Sequence, residues 1–215
     1  MAGAAARAEQ LETIADNLAN AQSPGFKAAR PAFQAFLASA GATDKVFTAA
    51  VETGVDLTPG DAVVTDNPLD VTPEGAGFLG VSIGKGQVAY TRNGQLRLGA
   101  GNELMSGGHM VLGTNGQAIV VPPETTPTIN EDGTVVADGM EIGRIALFEL
   151  RGNATRIGPS LYGPAANGSV AALPEGRLRV GELEMGNASP LEAAVAMISA
   201  QRHFETAMQA ISTYK

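Results

Sequence analysis

The chain has 215 residues, 44% of them hydrophobic, enough for one sizeable core or two small ones and too apolar for a disordered tail. Its 22 acidic and 14 basic residues leave a formal net charge of −8, and no stretch clusters Lys and Arg as a nucleic-acid groove requires. Cysteine is absent, which removes disulfides, thiolate metal sites and cysteine nucleophiles, and no run of about 18 apolar residues offers a membrane span.

In chain order, the opening "MAGAAARAEQLETIADN" lacks the basic start and compact apolar block of a secretory signal, so the expectation is cytosol or export without a cleavable signal. Leu11, Ile14, Ala15 and Leu18 follow the i, i+3, i+4, i+7 spacing of one apolar helical stripe. Asn17 and Asn20, three apart, lie on one side of that helix, where their amides can bond exposed carbonyls and a neighbouring chain. Ser23-Pro24-Gly25 then stops the helix and turns the chain, and Phe26 follows as an anchor against a terminal helix pair or a β region. Residues 38–45 ("ASAGATDK") read as a linker.

From about 55 to 185 the pattern is short strands between turns. Asn93-Gly94, Asn115-Gly116, Asp132-Gly133, Asp138-Gly139 and Asn167-Gly168 are expected to supply the positive φ angles of tight turns. Between them, "VAYTR", "AIVVP", "TVVA" and "IGRIALFEL" read as strands. "VAYTRNGQLRL" is the clearest hairpin, and 158–169 ("GPSLYGPAANGS") is the most loop-like stretch. The C-terminal part returns to helix. Ser189 is the expected N-cap, with Pro190 at the first helical position and Glu192 at the third. Leu191, Val195, Ile198, Phe204, Met208 and Ile211 make a stripe along a helix of about 25 residues, roughly 38 Å long.

Candidate chemistry is sparse. "GAGFLG" (75–80) matches a dinucleotide fingerprint literally, yet "TPE" precedes it and strand-like "VSIGKG" follows, so its glycines are read as strand-bending. "GVSIGKG" has the wrong spacing for a P-loop. His109 and His203 have no companions at metal-ligand spacing, and no nucleophile elbow is present. No catalytic residue, cofactor or metal is expected.

Three separated blocks nevertheless carry a resemblance. "IADNLANAQSPGFKA", through Asn17, Leu18, Ala19, Asn20, Gly25, Phe26 and Lys27, resembles the N-terminal signature of the flagellar rod and hook family. Asn67, Pro68, Leu69, Asp70, Gly75, Gly77, Phe78, Tyr90, Thr91, Arg92, Asn93 and Gly94 resemble its central block. Leu183, Glu184, Asn187, Met197, Ile198, Gln201, Arg202 and Phe204 resemble its C-terminal helix. The modest length makes the chain look most like the shorter, proximal rod members. Departures from the family pattern are Asp16, Ala21, Ser23-Pro24, Gly186, Ala188, a first helix a turn or two short, and Pro73, which is expected to break the strand entering Gly75 or to place it at an edge.

The resemblance implies a mostly β fold with N- and C-terminal α-helices. The terminal helices would pair into a coiled-coil-like domain, with a central antiparallel β domain inserted between them. The boundaries would be 1–37 for the first helix and linker, 38–184 for the β domain and 185–215 for the last helix. The implied role is a structural subunit stacking helically, with itself and other rod proteins, into the rod that crosses the periplasm. It would leave the cell through the flagellar type III export apparatus, with peptidoglycan nearby, no nucleic acid and no membrane insertion. The expected assembly residues are Leu11, Ile14, Asn17, Leu18, Asn20, Gly25, Phe26, Asn187, Leu191, Val195, Ile198, Gln201, Arg202, Phe204, Met208 and Ile211. Two other roles stay open: a distal rod or hook-like sibling, and a peptidoglycan-binding or peptidoglycan-cleaving β domain, which would need paired carboxylates or an aromatic platform from a chain with three Tyr and no Trp.

Overall fold

The computed structural model describes residues 2–37 and 46–213, with side chains over 8–30 and 54–202. The expected linker at 38–45 lies outside the described residues. The chain divides into two units, and it passes between them repeatedly: residues 1–21, 28–56 and 188–215 form one, and 22–27 with 57–187 form the other.

The terminal unit contains helix α1 (Ala2–Ala19), strands β1 (Ala29–Leu37) and β2 (Val46–Val55), and helix α2 (Pro190–Thr213). The strands pair antiparallel from Ala29 opposite Val55 to Leu37 opposite Val46, with an irregularity between Arg30 and Ala32. At the end of α1 the Asn20 N–H still reaches the Asp16 carbonyl at 3.1 Å, while Ala21 N–H bonds Leu18 at 3.4 Å in a tighter turn. The cap of α2 forms as its sequence suggests, with Ser189 Oγ accepting from Glu192 N–H at 3.3 Å.

The expected coiled-coil-like pairing of the terminal helices is not what this unit shows. Helix α1 touches both hairpin strands as well as α2, so its apolar residues are shared among three elements. On α2, the large residues expected in a helical seam face outward: Leu191, Val195 and Ile198 are 75%, 61% and 54% exposed. The opposite side is mostly alanine, with Ala200 buried and Ala193, Ala194 and Ala196 half-buried beside one larger residue, Met197. Knobs-into-holes contacts are built from large apolar side chains, whereas over the described side chains of α2, up to Arg202, alanines and the single Met197 lie on the covered side. The side chains of Phe204, Met208 and Ile211 lie outside the described residues.

In the β unit, β3 (Ala62–Val64) and β4 (Val71–Pro73) lead into β5 (Gly77–Ser82) and β6 (Val88–Thr91). Next come β7 (Leu96–Leu98), β8 (Leu104–Ser106) and β9 (His109–Val111). A small sheet of β10 (Thr128–Ile129), β11 (Thr134–Ala137) and β12 (Met140–Arg144) precedes β13 (Leu147–Arg151), β14 (Ala154–Gly158), β15 (Leu161–Pro164) and β16 (Ser169–Ala172). The last two are β17 (Leu178–Val180) and β18 (Glu182–Glu184). The largest sheet runs β14-β15-β6-β5-β9-β8-β7, with β13 beside β5 and β16 beside β13. Ladders throughout are antiparallel, and β17 pairs with β4 while β18 pairs with β3, so the end of the unit returns to its beginning. Alternate residues of these strands, among them Val71, Leu79, Val81, Leu104 and Val111, make one core and are wholly buried.

Several turns differ from their sequence reading. β6 pairs with β5 and β15, and β7 with β8, so "VAYTRNGQLRL" is not a hairpin. Gly94 lies outside the left-handed region; it is needed because a Cβ there would come 1.5 Å from the Val71 carbonyl oxygen. Gly168 is likewise a close-approach glycine, its Cβ position 2.1 Å from the Asn153 oxygen. Asp138-Gly139, with φ of 50° and 75°, does make the two-residue turn between β11 and β12. "AIVVP" contributes single bridges rather than a strand, "IGRIALFEL" is divided between β12 and β13, and the stretch read as loop at 158–169 contains β15. Pro73 ends β4, whose ladder partner is β17, as a strand-edge proline should. "GAGFLG" continues into β5 without a helix, and a Cβ on Gly80 would lie 2.5 Å from the Phe148 ring.

Candidate functional site

Residues 22–27 leave α1 and lie within the β unit, held there much as a bound peptide would be. Gly25 adopts φ 67°, and a Cβ on it would sit 2.1 Å from the Asn93 nitrogen, so the turn after Pro24 admits only glycine against this backbone. Gly25 N–H donates to the Glu184 carbonyl at 2.8 Å. The next carbonyls are taken in succession. Ser160 Oγ donates to Pro24 O at 3.1 Å, Tyr162 OH to Gly25 O at 3.3 Å, Asn187 N–H to Phe26 O at 3.2 Å, and Arg156 to Lys27 O at 2.8 Å. The Tyr162 oxygen also accepts from Lys27 N–H at 2.6 Å. Phe26 is 2% exposed beneath the Arg156 guanidinium, which stands 4.5 Å from the ring centroid, a cation–π arrangement.

Under this segment lies a buried charge cluster. Lys27 Nζ reaches Glu184 Oε1 and the Thr58 carbonyl, each at 2.5 Å. Arg92 Nε donates to Glu184 Oε2 at 2.7 Å, and its terminal nitrogens donate to the carbonyls of Pro73, Gly75 and Gly77. Gly60 N–H adds a bond to Glu184 at 3.1 Å. All three side chains are at most 1% exposed. One carboxylate thus serves two cations, and the local sum is +1. Ionised groups tolerate such burial only when paired and fully hydrogen-bonded, which is the case for Glu184.

Asp70 plays a local structural part, accepting from Thr65 Oγ1 at 2.7 Å and Asn67 Nδ2 at 3.1 Å and so fixing the turn into β4. Tyr90 stacks edge-on to Phe148 with centroids 5.2 Å apart, and burial pushes its phenol pKa up. Among the described residues, no group of three His, Asp or Glu side chains is placed to hold a metal.

The structure distributes the expected assembly residues over three environments. Gly25, Phe26 and Asn187 meet in the segment just described, with Asn187 Nδ2 also donating to Thr58 O at 2.9 Å. On α1, Ile14 is buried and Leu11 and Leu18 are half-buried. Asn17 exchanges two 2.9 Å bonds with the backbone of Ala29, so its amide holds the start of β1 to the last turn of α1. Asn20 donates to the carbonyl and carboxylate of Asp16. Leu191, Val195, Ile198, Gln201 and Arg202 are exposed on α2. Sequence reasoning passes over Tyr162 and Arg156. Tyr162 stands in the stretch read as loop, and neither carries a local signal. Lys27, Arg92 and Glu184 are legible as motif positions but not as one cluster.

Comparison with known proteins assigns these distant residues to three family blocks. The family model described as "Flagella basal body rod protein" matches residues 1–27, "Flagellar hook protein FlgE/F/G D1 domain" matches 74–137, and "Flagellar basal body rod FlgEFG protein C-terminal" matches 179–215. Lys27, Arg92 and Glu184 come one from each. The chain belongs to the flagellar basal-body rod and hook family, and within it is a rod-type structural subunit. It is 34% identical to the flagellar basal-body rod protein FlgF of Salmonella typhimurium and 33% to that of Escherichia coli, over 99% of this chain and 91% of each relative. It is also 31% identical to FlgG of Borreliella burgdorferi, over 98% of this chain and 91% of that protein.

Proposed function

We propose that this chain is an FlgF-like subunit of the proximal rod, assembling with further copies of itself and with other rod proteins into a helical shaft. The observation that carries this reading is near full-length similarity to FlgF. The exposed Leu191, Val195 and Ile198 stripe on α2 supplies a surface for contact between subunits, because water-facing apolar residues at i, i+4 and i+7 gain by being covered. Head-to-tail contacts that do not close generate a filament. Passage through the flagellar type III export apparatus without signal cleavage, a periplasmic position and proximity to peptidoglycan complete the proposal.

The test is complementation of a strain lacking the subunit. Ile198→Asp is expected to give a folded protein that does not enter isolated basal bodies and does not restore swimming. Normal incorporation of this variant would remove the α2 stripe from the proposal.

A further inference from the structure

The β unit is closed by its two ends. Strands β17 and β18 pair with β4 and β3, the first strands of the unit, and they contribute Leu178 and Leu183 to its buried residues. Residues 22–27, which precede the unit in the chain, receive the Glu184 carbonyl and the Asn187 N–H. The Glu184 carboxylate is shared by Lys27 and Arg92, and it bonds Gly60 as well. Segments near residues 25, 60, 72 and 92 therefore obtain their ladder partners or their counter-charge from residues 178–187. In the folded unit Lys27 and Arg92 are buried with that carboxylate between them, and buried cations deprived of a shared anion are strongly destabilising.

We infer that Glu184 and its flanking strands act as a folding lock: the β unit reaches its stable state in one step, only when residues 22–27 and 178–187 come together. Until residue 184 is available, the larger sheet has a core of low stability and the segment Pro24–Lys27 lacks the Glu184 carbonyl, the Glu184 carboxylate and the Asn187 N–H that complete its seat. The device is a matter of chain order. A subunit in which the last strands of a unit complete the first ones stays open while most of its length is already present, and contacts of such sequence separation form late because loop closure precedes their reward. The inference stands independently of the proposed rod role.

The experiment uses the full chain. Pulsed hydrogen-exchange labelling during refolding is expected to show β5, β6 and β13 acquiring protection in the same kinetic phase as β17 and β18. Protection of β5, β6 and β13 in a phase ten or more times faster than that of β17 and β18 would overturn the lock. Native-state exchange on Glu184→Gln supplies the second arm, since it keeps the shape and removes the charge. Protection is expected to fall at least tenfold across β4, β5, β6 and β13 together, and to recover in Lys27→Met/Glu184→Gln, which returns the local sum to +1. A loss confined to 22–27 and 57–61, or a double variant no better protected than the single, would show a local contact and no lock.

Discussion

Phe26 and Ile198 are both expected from sequence at contacts between subunits, yet one is 2% exposed and the other 54%. The segment around Phe26 is saturated with bonds inside its own chain, down to successive backbone carbonyls. The outward face of α2 around Ile198 has apolar side chains and solvent. Two segments of similar expected purpose thus divide the work: the Gly-Phe-Lys segment completes a folded unit, and α2 displays a surface. An aromatic residue after a Pro-Gly turn can be an internal anchor even in a protein built to assemble.

This contrast is open to direct attack. Its largest consequence is at Phe26, where Phe26→Ala should cost about 3–5 kcal/mol by emptying a buried site beneath Arg156, read as a clear fall in the melting temperature of the purified chain. An unaltered melting temperature would break the comparison, since the segment would then not belong to the folded unit. Tyr162→Phe is smaller: it removes one hydroxyl that donates to Gly25 O and accepts from Lys27 N–H, so about 1–3 kcal/mol should be lost in urea unfolding with the slope unchanged. Ser189→Ala removes the cap of α2 and should cost about 1 kcal/mol of helix stability, visible as faster amide exchange at the start of α2 and no change in β5 or β6. The smallest effect on stability belongs to Ile198→Asp, an exposed site, at about 0.5 kcal/mol or less. Its effect on incorporation into basal bodies is expected to be the largest of the four, and a large loss of monomer stability would place Ile198 in an internal core instead.

Much of the local structure is legible in the sequence. Apolar spacing and the Ser189 cap locate both helices, Ser-Pro-Gly locates the end of α1, and Asp138-Gly139 locates a true two-residue turn. These features depend on residues within a few positions of one another, where conformational preference acts directly. Asn93-Gly94 shows where that logic stops. The same dipeptide chemistry suits a tight turn, but here the glycine exists for the approach of Val71, a contact absent from any short window. The face on which α2 would be buried is equally out of reach, because a helix with alanine on one side and Leu, Val and Ile on the other can bury either one.

The sequence by itself determined two helical ends around a β middle, an acidic cysteine-free chain, and three blocks that place it in a rod and hook family. Tertiary structure alone decided that residues 22–27 belong with the β unit, that Lys27, Arg92 and Glu184 share one buried site, that Tyr162 and Arg156 secure the passing chain, and that the α2 stripe faces outward. The physical reason is range. Propensities, caps and turn chemistry are set by neighbours in sequence, whereas a carboxylate 157 residues away from the lysine it neutralises is found only when the chain has folded back on itself.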